Sequence, residues 1–283
     1  MKCTSPILIR NGKILLSKAP PDLCVPKGAF LVPCGVCMSC RVSRSREWSV
    51  RIMHEVSVCS MSCFLTLTYN DDCLPENQSL NKVALQKFLK RLRKRLSIPI
   101  RYYACGEYGE ETKRPHYHLI IFGYRPNDLV LQRRTEAGPL FFSGVLQELW
   151  PYGFNVIGDV TRQSARYVAE YVNKKVLGKE AEEYYGEREK PFSLMSKGIG
   201  KKWMEENADR IKKNWKKVGI PRYYRKKLDI SKTELMKRSI KVSEKVVEYH
   251  KERDVHPFDG VKESRKQADK NLKARLSLRK KKL

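Results

Sequence analysis

Arg114–Phe122 reads RPHYHLIIF, with two histidines at the mouth of an apolar run. The segment HYHLIIFG over 116–123 predicts a strand. Side chains alternate across a strand, so His116 and His118 share one face and Tyr117 takes the other. The chain has five histidines in 283 residues, so this pairing calls for a reason. Neutral imidazole is a good ligand for a divalent metal, and two neighbours form one edge of a site that needs at least one more ligand. Just upstream, IRYYACGEYG over 100–109 predicts a second strand. Gly109, charged residues and Pro115 separate the two, which suits a hairpin. A hairpin would bring Glu107 beside the histidines; Glu110 and Glu111, in the turn, are weaker candidates for the third ligand.

Working outward, CFLTLTY over 63–69 and FNVIGDV over 154–160 predict further strands. Helices are predicted from about Val42 to Val58, over 80–96, over 143–150 with Ser143 as its cap, and over 161–175 with Thr161 or Ser164 as its cap. The 80–96 helix, LNKVALQKFLKRLRKRL, sets Leu85, Phe88, Leu89, Leu92 and Leu96 on one face and crowds Lys and Arg on the other. This mixture predicts an α+β fold, a mostly antiparallel central sheet with helices on one face. Residues 1–45 read as a loop-rich, Cys-rich segment, 46–228 as the main domain, and 229–283 as a basic, helical and partly disordered tail.

The segment ARYVAEYVNKK places Tyr167 and Tyr171 four apart on a helix, which puts them on one face. Lys174 and Lys175 follow within a turn. A phenol beside a metal and a lysine can become a nucleophile despite its ordinary pKa near 10.

Lys and Arg number 58 against 31 Asp and Glu, a net charge of +27. Such a field attracts polyanions, above all nucleic acid. No stretch of about 18 apolar residues predicts a membrane span, and MKCTSPILIRNGKILL is a poor signal peptide. The expectation is a soluble, intracellular protein with no membrane partner. In that setting nine cysteines point to metal rather than disulfides. Cys34, Cys37 and Cys40 have the spacing of thiolate ligands, and structural Zn²⁺ needs a fourth. Cys3 is the first choice and Cys24 the second. Aromatic residues beside basic ones suit single-stranded DNA, where bases stack and cations track phosphates. Arg101, Tyr103, Arg114, Lys201, Lys202, Arg222 and Tyr223 are the candidates.

FLTLTY, CGEYG…RPHYHLIIFG and YVAEYVNKK stand in the order of the three motifs of HUH-type rolling-circle replication endonucleases. Together with MKCTSP, PCGVCMSCRVSRSREW, FSLMSKGIGKKW and IPRYY, they make the chain resemble the replication initiators of small single-stranded DNA phages, the microviruses, and most of all their gokushovirus branch. The resemblance covers residue 1 to about 225. It implies that His116 and His118, with Glu107 third, bind Mg²⁺ or Mn²⁺. It implies that Tyr167 and Tyr171 attack the scissile phosphate in turn, with Lys174 or Lys175 neutralising it. It further implies a 5′-phosphotyrosine link, a free 3′-hydroxyl for a polymerase, a single-stranded origin as substrate, and host helicase and polymerase as partners in the host cell cytoplasm. The alternative is a non-enzymatic, basic, zinc-containing nucleic-acid-binding protein, which would leave the histidine and tyrosine pairs idle.

Overall fold

The structure, a computed structural model, describes residues 3–19, 28–109, 111–174, 180–214, 219–230, 248–249, 252–253 and 257–280. The chain divides into two units, Met1–Arg44 with Arg225–Leu283, and Ser45–Tyr224. No described helix is long and apolar enough to cross a membrane.

The first unit carries a three-stranded antiparallel sheet in the order β2-β1-β3, from Ile7–Arg10 (β1), Lys13–Leu16 (β2) and Ala29–Val32 (β3). This sheet was not expected from a segment read as loops. The signal was present: ILIR and KILL flank Asn11-Gly12, and both turn residues have positive φ, 48° and 77°. That is the two-residue turn whose twist matches a hairpin. A further helix occupies Pro257–Lys280.

Helix α1 (Met38–Val56) leads into the second unit. There Ser62–Thr68 (β4), Arg101–Tyr108 (β5), Pro115–Phe122 (β6), Leu129–Thr135 (β7), Gly138–Ser143 (β8), Asn155–Gly158 (β9) and Phe192–Met195 (β10) form one sheet. Its order is β10-β5-β6-β4-β9-β8-β7, and every neighbouring pair is antiparallel. The β7–β8 hairpin and β10 are additions to the strands predicted from sequence. Helices α2 (Lys82–Leu96), α3 (Gly144–Leu149), α4 (Arg162–Lys174), α5 (Glu180–Tyr185), α6 (Lys201–Glu206), α7 (Ala208–Asn214) and α8 (Arg222–Lys227) complete the described elements.

Three helix starts show why these segments fold locally. Asn81 Oδ1 accepts from the Ala84 amide, Ser143 Oγ from Leu146, and Thr161 Oγ1 from Ser164. Each satisfies an amide that the first turn leaves without an intrahelical partner.

The α+β, antiparallel expectation holds, with one difference: helices cover both faces of the sheet. On one face Tyr117, Leu119 and Ile121 of β6 join Cys63, Leu65 and Leu67 of β4. The apolar side of α2 packs there through Ala84, Leu85, Phe88, Leu89 and Leu92, together with Leu146 of α3 and the adjoining Trp150. On the other face Tyr103, Cys105, Ile120 and Phe122 pack against Ile52 of α1 and Ala165, Val168 and Tyr171 of α4. The physical reason lies in β6 itself. Leu119 to Phe122 is apolar at both parities, and a strand of that kind needs cover on both sides. Close approach fixes one further detail. A Cβ on Gly153 would stand 2.3 Å from the Thr68 carbonyl oxygen and 2.5 Å from the Asn70 nitrogen. Only glycine lets that loop lie against the end of β4.

Candidate active site

Strand β6 is paired along its length on both sides. His116 faces Glu107 of β5 and Thr68 of β4; His118 faces Cys105 and Thr66. The amide of Gly109 donates to the Arg114 carbonyl at 3.0 Å, which closes the β5–β6 turn and sets this register. Glu107 is therefore the carboxylate on the histidine face. Glu111 sits exposed in the turn, and Glu110 lies outside the described residues.

The two imidazoles are nearly parallel, with centroids 6.3 Å apart. His116 donates from Nδ1 to the Arg114 carbonyl oxygen at 2.7 Å, leaving Nε2 as the bare nitrogen. Burial lowers its pKa from the ordinary 6.5, against the opposing effect of that backbone bond. The ring is thus neutral at neutral pH, as a metal ligand must be. His118, 6% exposed, has Nε2 3.0 Å from Glu107 Oε1 and Nδ1 3.0 Å from Thr66 Oγ1.

These distances test whether the donors suit a divalent cation. Ligands about 2.1 Å from a Mg²⁺-sized ion and at right angles stand about 3.0 Å apart. The His118–Glu107 pair already has that separation. The third member is less closely gathered. Among the described residues, the ligand group with every donor pair within 4.8 Å is a cysteine cluster, not this trio. His116 must draw in for all three to share one ion. The donor set fits, with His118 and Glu107 poised and His116 flanking them.

Sequence reasoning missed Thr66. An ionised Glu107 only accepts, so in this arrangement His118 carries its proton on Nε2 and the Thr66 hydroxyl donates to Nδ1. A cation at Nε2 would require the proton on Nδ1, and the same hydroxyl can then accept. The signal was the alternation in SCFLTLT, which puts Phe64, Thr66 and Thr68 on the histidine face.

Helix α4 brings both candidate nucleophiles to this face. The Tyr167 ring lies 5.2 Å from that of His118, and the Tyr171 ring stacks on His118 at 5.3 Å and 6°. The two phenol rings meet edge-on at 4.6 Å. Small residues make this approach possible: Ala165, Val168 and Ala169 are fully buried along the packed side of α4. Tyr171 is 4% exposed, and its phenol is pushed well above the ordinary value of 10. Burial is the main cause, followed by the negative charge of Glu107 and the influence of Tyr167. Tyr167 is half-buried, with Phe64 against it at 6.4 Å. The side chain of Lys174 and the whole of Lys175 lie outside the described residues.

The candidate DNA contacts divide. Tyr103 is fully buried against Trp48, with centroids 5.1 Å apart, so its ring is part of the core and has no face free for a base. Arg101 is committed to the buried Glu55 and to the Lys197 carbonyl, and Arg114 to Asp71 and the Tyr69 carbonyl. Tyr223 lies under the Arg51 guanidinium at 4.1 Å. Lys201, Lys202 and Arg222 are exposed, Lys201 pairing with Glu205 at 3.3 Å.

In the other unit, Cys3, Cys34, Cys37 and Cys40 converge, with all four sulfurs within 4.8 Å of one another. Cys3 Sγ is 3.5 Å from Cys34 Sγ and 3.7 Å from Cys37 Sγ. Tetrahedral Zn²⁺ with bonds of about 2.3 Å sets sulfurs about 3.8 Å apart. The Cys34 amide donates to Cys3 Sγ and the Cys37 amide to Cys34 Sγ, each at 3.3 Å. Burial disfavours a thiolate at Cys37, but hydrogen bonds from Thr4 and Cys40 outweigh it and bring the pKa down to about 6. The cluster could hold a metal such as zinc. Cys24 lies outside the described residues.

Residues 62–176 match the replication-associated protein family of the ORF2 type. The replication-associated protein VP4 of Bdellovibrio phage phiMH2K is 36% identical over 215 residues, spanning 69% of this chain and 67% of that protein. The chain belongs to the family of phage replication-associated proteins. The replication-associated protein ORF2 of Spiroplasma virus 4 is 35% identical over 226 residues, spanning 70% of this chain and 68% of its own. The replication-associated protein ORF4 of Chlamydia phage 1 is 28% identical over 217 residues, spanning 71% and 54%. No solved structure matches. The segment matching the family starts at the first residue of β4 and ends just beyond α4. It contains Thr66, Glu107, both histidines and both tyrosines.

Proposed function

We propose that this replication-associated protein starts rolling-circle replication by nicking single-stranded DNA at an origin and later rejoins the strand. One observation carries the proposal: Tyr167 and Tyr171 both pack on His118, which shares a hydrogen bond with Glu107. Two nucleophiles and a cation-ligating pair thus meet on one face of a rigid sheet.

A divalent cation, Mg²⁺ or Mn²⁺, held by His116, His118 and Glu107 would polarise the scissile phosphodiester and orient it. A phenolic oxygen attacks the phosphorus and forms the 5′-phosphotyrosine bond. The bond from phosphorus to the 3′-oxygen breaks, that oxygen takes up a proton as a 3′-hydroxyl, and the phenolic proton passes to solvent. One ester replaces another, so attack by a 3′-hydroxyl on the phosphotyrosine restores the strand without ATP. The 3′-hydroxyl primes a host polymerase, and a host helicase opens the duplex ahead. The place of action is the interior of the host cell, where the DNA is. With one tyrosine esterified, the other, one helical turn away, serves the next transfer. Lys174 and Lys175 would help neutralise the phosphate. Cys3, Cys34, Cys37 and Cys40 hold a structural Zn²⁺ that fixes the N-terminal segment.

The test incubates the protein with a labelled single-stranded origin circle and Mn²⁺ and looks for a covalent protein–DNA band in denaturing gels. The band should form with the wild type and vanish with His118→Ala and with the Tyr167→Phe/Tyr171→Phe double variant. Tight DNA binding with no band under any metal condition would favour the non-enzymatic alternative. A band that survives in the double variant would remove the tyrosines from the chemistry.

A further inference from the structure

The geometry points to a second nucleic-acid surface, the outward face of α2, which docks the phosphate backbone of duplex DNA. Helix α2 carries seven basic residues and no acidic one in fifteen positions. Its buried side, Ala84, Leu85, Phe88, Leu89 and Leu92, packs on the Tyr117–Leu119 face of the sheet. His116, His118 and the tyrosines occupy the opposite face. The outward side of α2 is therefore separate from the site of strand cleavage.

Taken at 100° per residue, Lys87, Lys90 and Lys94 form a stripe directly opposite the buried residues. All three are exposed. The flanking arginines are occupied: Arg91 donates twice to the Leu149 carbonyl, Arg93 lies over the Tyr102 ring at 5.1 Å, and Arg95 is 3.9 Å from Glu148. Among the described residues, no carboxylate lies within ion-pair distance of the three lysines of the stripe. Like charges three and four apart repel on a helix surface, as Lys87 with Lys90 and Arg91, and Lys90 with Lys94, must do. The helix dipole accounts for the basic last turn, Arg93 to Arg95. It does not account for Lys87 and Lys90. A polyanion does.

The stripe runs about 10 Å, seven residues at about 1.5 Å each. Over that length duplex DNA presents about six phosphate charges, one per 1.7 Å. The lone aromatic of α2, Phe88, is fully buried, so the surface offers no ring on which a splayed base could stack. Single strands favour such platforms; a convex, purely cationic ridge suits the denser backbone of a duplex. The inference concerns binding alone and stands or falls apart from the nicking chemistry.

The test compares the full chain with its Lys87→Gln/Lys90→Gln/Lys94→Gln variant, by fluorescence anisotropy over a salt series without added Mg²⁺ or Mn²⁺. The probes are a labelled duplex of about 20 base pairs, enough for the phosphates counted above, and one of its strands alone. A second variant, Arg133→Gln/Arg134→Gln on the exposed strand β7, controls for net charge. The stripe variant should bind the duplex at least tenfold more weakly, with the slope of log K against log salt reduced by about 2.7, or 0.9 per lost phosphate contact. Its binding to the single strand, and duplex binding by the control, should change little. An unchanged duplex slope overturns the inference. So does an equal fall for the single strand or for the control variant, since the loss would then reflect charge in general and not this face.

Discussion

The two tyrosines differ, and the difference sets an order of attack. An ordinary phenol with a pKa near 10 is about one part in a thousand ionised at pH 7. Tyr171 starts from a worse position: it is almost wholly buried, and Glu107 places a negative charge against its phenolate. Each pH unit by which ionisation is delayed removes tenfold of the nucleophile, about 1.4 kcal/mol of barrier. Tyr167, half-buried at the rim, is the better placed for an incoming phosphate. Tyr167 therefore makes the first cut, and Tyr171 acts once the cation has drawn off the charge of Glu107. The assay is single-turnover cleavage of an end-labelled single-stranded origin oligonucleotide with Mn²⁺, the adducted peptide being identified by mass spectrometry. Tyr171→Phe should keep the first-cut rate within about threefold, while Tyr167→Phe should lose at least tenfold. The residual rate of Tyr167→Phe should still be rising with pH where that of Tyr171→Phe has levelled off. A wild-type adduct on Tyr171, or a slower first cut in Tyr171→Phe than in Tyr167→Phe, refutes the reasoning.

Three other outcomes are expected. Thr66→Val removes the hydroxyl that serves both tautomers of His118 and should weaken Mn²⁺ binding by about 10–100-fold, with Thr66→Ser restoring it; calorimetric titration measures this without DNA. Cys34→Ser should reduce bound zinc, measured by elemental analysis of the purified protein, from one per chain to none. The third concerns His54, clasped between Trp203, with centroids 3.4 Å apart, and the Tyr224 hydroxyl at 3.0 Å. Burial, then Arg210, lowers its pKa from 6.5 to about 4. The folded state thus resists a proton that the unfolded state accepts, so the stability tied to this group is whole above pH 6.5 and lost as pH falls toward 4. Urea midpoints over that range should show a shallower decline for His54→Phe than for the wild type, and parallel curves would exclude the effect.

Local rules carried far in this sequence, and their limit is visible in particular residues. Alternation alone put His116 and His118 on one face and Tyr117 on the other, and the helical repeat alone put Tyr167 beside Tyr171. Both are short-range consequences of backbone geometry. The choice of Glu107 over its neighbours needed the turn between β5 and β6, whose closing bond from Gly109 to Arg114 spans few residues. What stayed hidden was long-range commitment. Tyr103 reads as a surface aromatic beside Arg101 until Trp48 and Ile52, some fifty residues earlier, are seen to cover it. Arg101 reads as a phosphate contact until Glu55 arrives from the same helix. The Asn11-Gly12 turn is the opposite case, a local signal strong enough to be read and passed over amid prolines and cysteines.

The position of the histidines in the sheet bears on why the site can be precise. β6 is flanked on both sides by paired strands, so neither imidazole can shift along or across the sheet without breaking a ladder. On the reverse side, the residue between them, Tyr117, is fully buried. Its hydroxyl accepts from the Asn81 amide at 2.7 Å and lies 3.0 Å from the Tyr69 hydroxyl, and its ring meets Trp150 at 5.5 Å. The strand is therefore pinned from behind by the residue that alternation sends away from the chemistry. Phosphoryl transfer gains most of its rate from position and preorganised charge, and a misplacement of about 1 Å costs about a hundredfold. Placing the ligands on the most constrained strand and the nucleophiles on a helix packed through Ala165 and Val168 meets that demand with ordinary core packing. It also means that damage to the far face, at Tyr117 or Trp150, should reach the active site through β6 although neither side chain touches it.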